Sequence, residues 1–299
     1  MRDDNIFTNE IILAWLKYFA DNTPVALEKI KMMDVTKKDK NLIPAVESNK
    51  AVMAFMEAGD SEIFYHMWSA GLGECEVWYN EGSEPSGPIK HDKVRDMINR
   101  GINANAGMLV VNETARNVSK TGLDSTGSSN RGAGSEIRSV ILSKLNIARE
   151  DTVCVIGGES LAIEAAFAAS EGTVIAVEYS GRERDRIEEH VDFFDLKNIA
   201  IRDHVDSDTF KGLPAPAVIF LVASATMEQE LEFLLKRNPK AQVVIYTLDI
   251  TVAGNIRGIL EKQGMRNIEI IQISVTRLDS KNAFEPQPSP WIITANALD

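Results

Sequence analysis

Residues Thr152–Ser160 read TVCVIGGES, and an alanine-rich stretch follows before a second apolar run that closes on Glu178. An apolar strand, a glycine turn, a helix and a strand ending in an acid about 20 residues on form the βαβ unit that holds an adenosine-containing cofactor. Gly157 and Gly158 let the backbone pass close to a ligand, and the helix that follows offers N–H groups at its N-terminus. The Glu178 carboxylate would accept hydrogen bonds from ribose hydroxyls.

Strands alternate with helices from the Ser/Gly-rich segment 119–134 to the end of the chain. The predicted strands are short, continuous apolar runs, as expected when helices cover both faces of a sheet. The pattern predicts a doubly wound parallel sheet. The predicted strands are Thr152–Ile156, Thr173–Glu178, Ile199–Asp203, Ala217–Val222 and Gln242–Thr247, and the predicted helices are Glu136–Leu145, Leu161–Ser170, Gly181–Phe194, Met227–Arg237 and Val252–Gln263.

The last two apolar runs, Ile268–Val275 and Trp291–Thr294, are joined without a helix through the proline-containing segment Lys281–Pro290. Such a connection produces an antiparallel pair. The fold class predicted for this part of the chain is therefore α/β, with a doubly wound, mostly parallel seven-stranded sheet that ends in an antiparallel hairpin.

The first part of the chain has a different pattern. Ile11, Ile12, Trp15, Leu16 and Phe19 repeat at helical spacing and predict an amphipathic helix whose apolar stripe faces a core. Segment 23–49 is rich in Lys and Asp and is predicted to be a linker. Short strands and helices among Gly and Pro turns in 51–111 indicate a small α+β domain. We therefore predict an N-terminal domain over 1–118 and a Rossmann-like domain over 119–299.

Composition narrows the class of protein. A net charge of −12 argues against nucleic acid or an anionic membrane as the main partner. No apolar run is long enough to span a bilayer, and Met1–Asp4 does not begin a secretory leader. Only two cysteines are present, Cys75 and Cys154, so neither a disulfide framework nor a metal site is predicted. We expect a cytoplasmic protein.

Several segments, in order, resemble the decarboxylating precorrin-6Y methyltransferase family of cobalamin synthesis, whose members have the class I S-adenosylmethionine (SAM) methyltransferase fold. The resemblance covers Gly134 to Ala295, and Ala51–Glu113 resembles the latter part of a tetrapyrrole methylase. It implies SAM as cofactor, a corrinoid precursor as substrate, methyl transfer with decarboxylation, and self-association. The segments are GSEIRSVILSKL (134–145), VIGGESLAIEAA (155–166), GTVIAVE (172–178), 198–203, VIYTLD (244–249) and ISVTR (273–277).

Site residues follow from the resemblance by position. Gly157 and Gly158 would form the cofactor turn, Glu178 would hold the ribose, and Asp203 would approach the adenine amino group. Ala223 and Ser224 would line the methyl-transfer cleft. The family's turn begins with Asp and has three glycines, whereas Val155 stands here and the turn is shorter. Glu159 either restores an anion facing the ammonium or sulfonium, or merely begins a helix.

An anionic tetrapyrrole needs cationic partners. Four basic residues fall in segments that would flank the cleft and are candidate substrate ligands, or else solvated surface charges: Arg131, Arg138, Arg277 and Lys281. His204 beside Asp203 is either a proton carrier or a surface histidine. Neither His190 nor His204 has a second histidine at helical spacing with which to bind a metal.

Three hypotheses remain open at this point. The first is SAM-dependent methyl transfer to a corrinoid precursor, which needs no side-chain nucleophile because the cofactor carries its own electrophile. The second is a catalytically silent domain that binds a nucleotide or a protein partner, and the shortened turn favours it. The third is an NAD-dependent oxidoreductase, which the absence of G-x-G-x-x-G disfavours.

Overall fold

A computed structural model describes residues 8–36, 40–60, 62–100, 102, 106–115, 134–278 and 280–297. The predicted domain boundary at 118/119 and Arg131 lie outside these residues. Described residues up to 115, together with His190–Lys197, form one compact unit, and the other described residues form a second. No helix among the described residues has both the length and the apolar character needed to cross a membrane.

The first unit is a small α+β domain, as predicted. Its five-stranded sheet has the order β1-β2-β5-β3-β4, with β1 and β2 parallel and the other pairs antiparallel. Trp15 and Phe19 of the first helix are fully buried in its core. The elements are α1 (Asn9–Asn22), β1 (Ile30–Asp34), α2 (Leu42–Ser48), β2 (Ala51–Met56), α3 (Glu62–Met67), β3 (Glu76–Tyr79), β4 (Lys90–Lys93), α4 (Val94–Met97) and β5 (Ala106–Val111).

The linker predicted over segment 23–49 is wrong. Strand β1 lies within it and pairs with β2 in the register Ile30↔Ala51. Helix α2 also lies within it, and its residues from Leu42 to Glu47 are buried. The charged residues between these two elements concealed them, because a short edge strand and a seven-residue helix produce little periodicity.

The second unit contains the alternating strands and helices that the sequence predicts. Their boundaries agree with the predicted ones within a few residues. The elements are α5 (Ser135–Leu145), β6 (Thr152–Ile156), α6 (Glu159–Ala168), β7 (Thr173–Val177), α7 (Gly181–Phe193, whose residues from His190 on are grouped with the first unit), β8 (Ile199–Arg202), β9 (Val218–Val222), α8 (Met227–Arg237), β10 (Gln242–Thr247), α9 (Ile250–Lys262), β11 (Arg266–Gln272), β12 (Thr276–Leu278), β13 (Phe284–Pro286) and β14 (Trp291–Asn296).

These strands build a seven-stranded sheet with the order β11-β14-β10-β9-β6-β7-β8. Strand β14 is antiparallel to both of its neighbours, while β10, β9, β6, β7 and β8 are parallel. The predicted fold class is confirmed. The sequence did not predict the small hairpin of β12 and β13, which lies in the connection between β11 and β14.

Register brings the predicted site residues to one edge of this sheet. Ile156 pairs with Val177 and Leu221, and Val177 pairs with Arg202. The residues that follow these strands therefore emerge side by side at the carboxyl ends of β9, β6, β7 and β8. In open α/β sheets this edge is where ligands bind.

Asn198 secures the end of helix α6 beneath the sheet. Its buried side-chain amide donates hydrogen bonds to the carbonyls of Ala166 and Ala169, at 2.9 and 2.8 Å. These carbonyls lie at the helix C-terminus, where side chains commonly complete the hydrogen bonding, and the Ala169 carbonyl also accepts from the Gly172 N–H at 2.9 Å. Asn198→Ala is expected to lower the free energy of unfolding by about 2 kcal/mol, measured by urea titration. Asn255→Ala, at an exposed position of α9, is the control, and equal midpoints for the two variants would contradict the prediction.

Candidate functional site

The turn between β6 and α6 consists of Gly157 and Gly158 alone. Gly157 has φ +72°, a left-handed conformation that glycine adopts without strain. A Cβ at this position would lie 3.4 Å from Cβ of Val222. The Gly157 N–H donates to the Val177 carbonyl at 3.0 Å, so this amide is already used within the sheet. The exposed face of the turn is its main chain.

Gly158 is closely packed by neighbouring side chains. A Cβ there would lie 3.1 Å from Cε1 of Phe220 and 3.2 Å from Cγ1 of Val155. Val155, which stands where the resembled family has an aspartate, is buried beneath the turn. The first helical hydrogen bond of α6 runs from Ala162 N–H to the Gly158 carbonyl, so the amides of the preceding turn lie at the helix end that favours anions.

Glu159, the first residue of α6, has a side chain only 10% exposed. Its Oε2 lies 3.8 Å from Nη1 of Arg186 on α7, and the same nitrogen lies 3.3 Å from Oε2 of Glu183. Glu159 therefore does more than begin a helix, because it forms part of a charge cluster beside the turn. The sequence reasoning missed Arg186, whose position on a strongly charged helix carries no local signal.

Glu178 follows β7 directly. Its N–H donates to the Arg202 carbonyl at 3.0 Å, and its Oε1 accepts from Ser180 N–H at 3.3 Å. Burial raises the pKa of the Glu178 carboxyl; the Ser180 hydrogen bond opposes this rise, and the charges of Glu183 and Glu159 add to it. Hydroxyl donors or a cationic ligand placed here would relieve this unfavourable environment.

Asp203 and His204 follow β8 and are both exposed. Asp203 Oδ1 lies 2.6 Å from His204 Nδ1, and His204 Nε2 lies 2.9 Å from Asp206 Oδ2. Desolvation lowers the pKa of His204, but the hydrogen bonds to the two carboxylates outweigh it and leave the pKa raised. The imidazole therefore lies between two carboxylates and contacts both of them, at the edge of the candidate site.

The loop after β9 carries Ala223 and Ser224. Ala223 N–H donates to the Tyr246 carbonyl at 2.9 Å, and the Ser224 hydroxyl lies 3.0 Å from that of Thr226. The Thr226 hydroxyl donates to Glu230 Oε1 at 2.7 Å. The sequence reasoning also missed Glu230, together with Tyr179, which hydrogen-bonds to it.

The described basic candidates differ in their surroundings. Arg138 is only 9% exposed, and its Nε lies 3.3 Å from Glu164 Oε1, so its guanidinium serves the packing of α5 against α6. Arg277 is exposed and donates to Glu136 Oε2 at 2.7 Å. Lys281 is exposed as well. Only the last two have the accessibility that a large substrate requires.

Comparison with known proteins identifies the family. A family model described as the precorrin methyltransferase domain matches residues 132–289, more than half of the chain. The crystal structure of precorrin-6Y C5,15-methyltransferase from Geobacter metallireducens is similar with a TM-score of 0.54 and 21% identity, over 60% of this chain and 97% of that chain.

Two further solved structures match the chain with lower TM-scores. Precorrin-8W decarboxylase from Methanobacterium thermoautotrophicum has a TM-score of 0.48 and 14% identity, over 55% of this chain and 91% of that one. The precorrin-6Y C5,15-methyltransferase domain from Corynebacterium diphtheriae has a TM-score of 0.47 and 20% identity, over 55% of this chain and 96% of that chain. No curated protein matches the chain significantly. The family model covers the glycine turn and every strand of the seven-stranded sheet except β14, and the chain belongs to the precorrin methyltransferase domain family.

Proposed function

We propose that the second unit transfers a methyl group from SAM to a carbon of a corrinoid precursor of the precorrin-6Y type, with loss of carbon dioxide. The observation that carries the proposal is the meeting of the Gly157 turn with Glu178 at adjacent strand ends, in a chain of this family. We further propose a cytoplasmic protein, in keeping with its two free, buried cysteines, and a homo-oligomer.

The residues at the sheet edge fit SAM. The exposed main chain at Gly157 permits close approach, and Glu178 offers a partly buried carboxylate for ribose hydroxyls. Glu159 and Glu178 together create a negative environment that suits the cationic groups of SAM. When bound, SAM supplies the methyl group as a sulfonium electrophile, so the work of the protein is to align the substrate and exclude water.

The substrate would be held by cations on the C-terminal side of the unit. We propose that Arg277 and Lys281 donate to carboxylates of the tetrapyrrole, since both are exposed. Arg277 would exchange its present partner Glu136 for a substrate carboxylate. Ala223 and Ser224 would line the cleft where the carbon is methylated, and Asp203 would reach the adenine amino group.

Calorimetric titration with SAM, S-adenosylhomocysteine and NAD tests the cofactor. We expect binding of the first two and none of NAD. Glu178→Gln should weaken SAM binding about tenfold, because one hydrogen bond to a charged group is replaced by a weaker one. Binding of NAD, or of none of the three, would contradict the proposal. Methyl transfer from labelled SAM to a precorrin-6Y-type substrate, with release of carbon dioxide, tests the reaction.

Glu159→Gln is expected to weaken SAM binding about tenfold, because a negative charge beside the cationic ligand is removed from a partly buried site. Calorimetry measures the effect. Glu188→Gln is the control, since it removes an exposed acid from α7, the helix that carries Arg186. Equal affinity of Glu159→Gln and the wild type would show that Glu159 serves only Arg186.

A second candidate function is a silent domain that has kept the fold to bind a nucleotide or a protein partner. The observation in its favour is the two-residue turn, in which the Gly157 amide is already used by the Val177 carbonyl. In that case no thermal stabilisation by SAM or S-adenosylhomocysteine is expected.

A further inference from the structure

Glu230 is a buried acid on helix α8. Its side chain is only 4% exposed, and Oε1 accepts hydrogen bonds from the hydroxyls of Tyr179 and Thr226. Its other oxygen, Oε2, is buried and has no hydrogen-bond partner among the described residues. A carboxylate satisfied on one side only is costly to bury, since a similar apolar side chain would pack here without that cost.

Helix α8, which carries this carboxylate, packs on the core beneath β6, where Cys154 shares a buried cluster with Met227 and Leu231. Burial raises the pKa of the Cys154 thiol, and the charge of Glu230 raises it further. The N-terminus of α8 favours an acid in the first turn of the helix. The exposed Glu228 already provides that acid, so the interaction does not by itself account for burying Glu230.

The two hydroxyls that Glu230 holds come from opposite sides of β6. Tyr179 directly follows Glu178 in the loop after β7, and its ring is 48% exposed. Thr226 lies in the loop after β9, and its hydroxyl lies 3.0 Å from that of Ser224. Since β7 and β9 are the two neighbours of β6, a single carboxylate oxygen connects the loops on both sides of the glycine turn.

We propose that Glu230 is a positioning residue that ties the ribose side of the site to the methyl-transfer side, an inference that rests on the proposed function. By accepting from the Tyr179 hydroxyl, it fixes the position of the backbone at the preceding residue, Glu178. By accepting from the Thr226 hydroxyl, it fixes the position of the Ser224 hydroxyl beside it. The burial of a half-satisfied carboxylate is then explained, because a charged oxygen accepts the two hydroxyl hydrogen bonds more strongly than an amide oxygen, and a glutamine would bury an NH2 group that needs acceptors.

The test is a set of double-mutant cycles with S-adenosylhomocysteine as the calorimetric probe. Glu230→Gln and Tyr179→Phe are each expected to weaken binding about tenfold, and the double variant should be no weaker than Glu230→Gln. Thr226→Val, on the far side of β6, should weaken binding about threefold, and should be non-additive with Tyr179→Phe. Urea midpoints, measured in parallel, identify variants whose fold has changed.

Glu232→Gln is the matched control, since Glu232 lies on the same helix, is exposed and pairs with Lys236 one turn on. Unchanged binding in a folded Glu230→Gln, or additive effects of Tyr179→Phe and Thr226→Val, would overturn the positioning role alone. If Glu230→Gln does not fold, the cycle between Tyr179 and Thr226 decides the question. A wild type that does not bind the probe overturns the proposed function, and this inference with it.

Discussion

Gly172→Ala is expected to destabilise the second unit by about 4 kcal/mol or more, among the largest effects of a single substitution. Gly172 precedes β7, and a Cβ added there would lie 2.0 Å from the Asp151 carbonyl oxygen and 2.8 Å from two backbone carbons. Backbone cannot move aside as a flexible side chain does. The Asp151 carbonyl also accepts from Thr173 N–H at 3.2 Å, so displacing it disturbs the start of both β6 and β7.

Urea unfolding followed by circular dichroism measures the effect. Gly254→Ala on helix α9 is the matched control, because its added Cβ meets no atom within 4 Å. Alanine there should raise the free energy of unfolding by about 1 kcal/mol, since glycine is a poor helix former. A Gly172→Ala protein that unfolds at the wild-type urea concentration would show that the chain before β7 relaxes freely.

Raising the pH from 4.5 to 7 is expected to lower the free energy of unfolding of the first unit by about 3 kcal/mol, because Glu47 is protonated in the native state over this range. Its side chain is 8% exposed on helix α2, and Oε2 has no hydrogen-bond partner among the described residues. Burial raises the pKa of this carboxyl from 4.5 to about 7. The charge of Glu47 in turn contributes to the raised pKa of the neighbouring Cys75 thiol, after burial itself.

The direction follows from the protons bound. Between pH 4.5 and about 7 the native state keeps the Glu47 proton and the unfolded chain has lost it, so the native state binds more protons and stability falls as pH rises. Urea unfolding at pH 5 and pH 8, followed by tryptophan fluorescence, measures this. Glu47→Gln should remove most of the dependence, whereas Glu57→Gln at an exposed position should keep it. An unchanged pH dependence in Glu47→Gln would place its origin elsewhere.

The sheet of the second unit was predictable because its strands are continuous apolar runs whose length and spacing are local properties. The runs ending at Ile156, Val177 and Val222 are followed by Gly-Gly, by Glu and by Ala-Ser, respectively. The family resemblance placed Gly157, Glu178, Asp203 and Ser224 in one site, and the register of the strands brings these residues to one edge of the sheet. The roles of these residues toward SAM remain predictions.

The sequence failed where an element depends on distant partners. Residues Ile30 to Asp34 form strand β1 by pairing with β2, and no local pattern within segment 23–49 indicates that pairing. Likewise Arg138 fits a substrate cation by its position in the chain, but its guanidinium meets Glu164, 26 residues away, inside the unit.

The sequence by itself therefore determined the fold class and the family resemblance from which the candidate site residues follow, because hydrophobic periodicity and glycine turns act over a few residues. Tertiary structure alone decided which acids are paired. Glu159 with Arg186, and Glu230 with Tyr179 and Thr226, are brought together across separate elements. The energy of a charged group depends on its burial and its neighbours in space, and neither is written in the order of the residues.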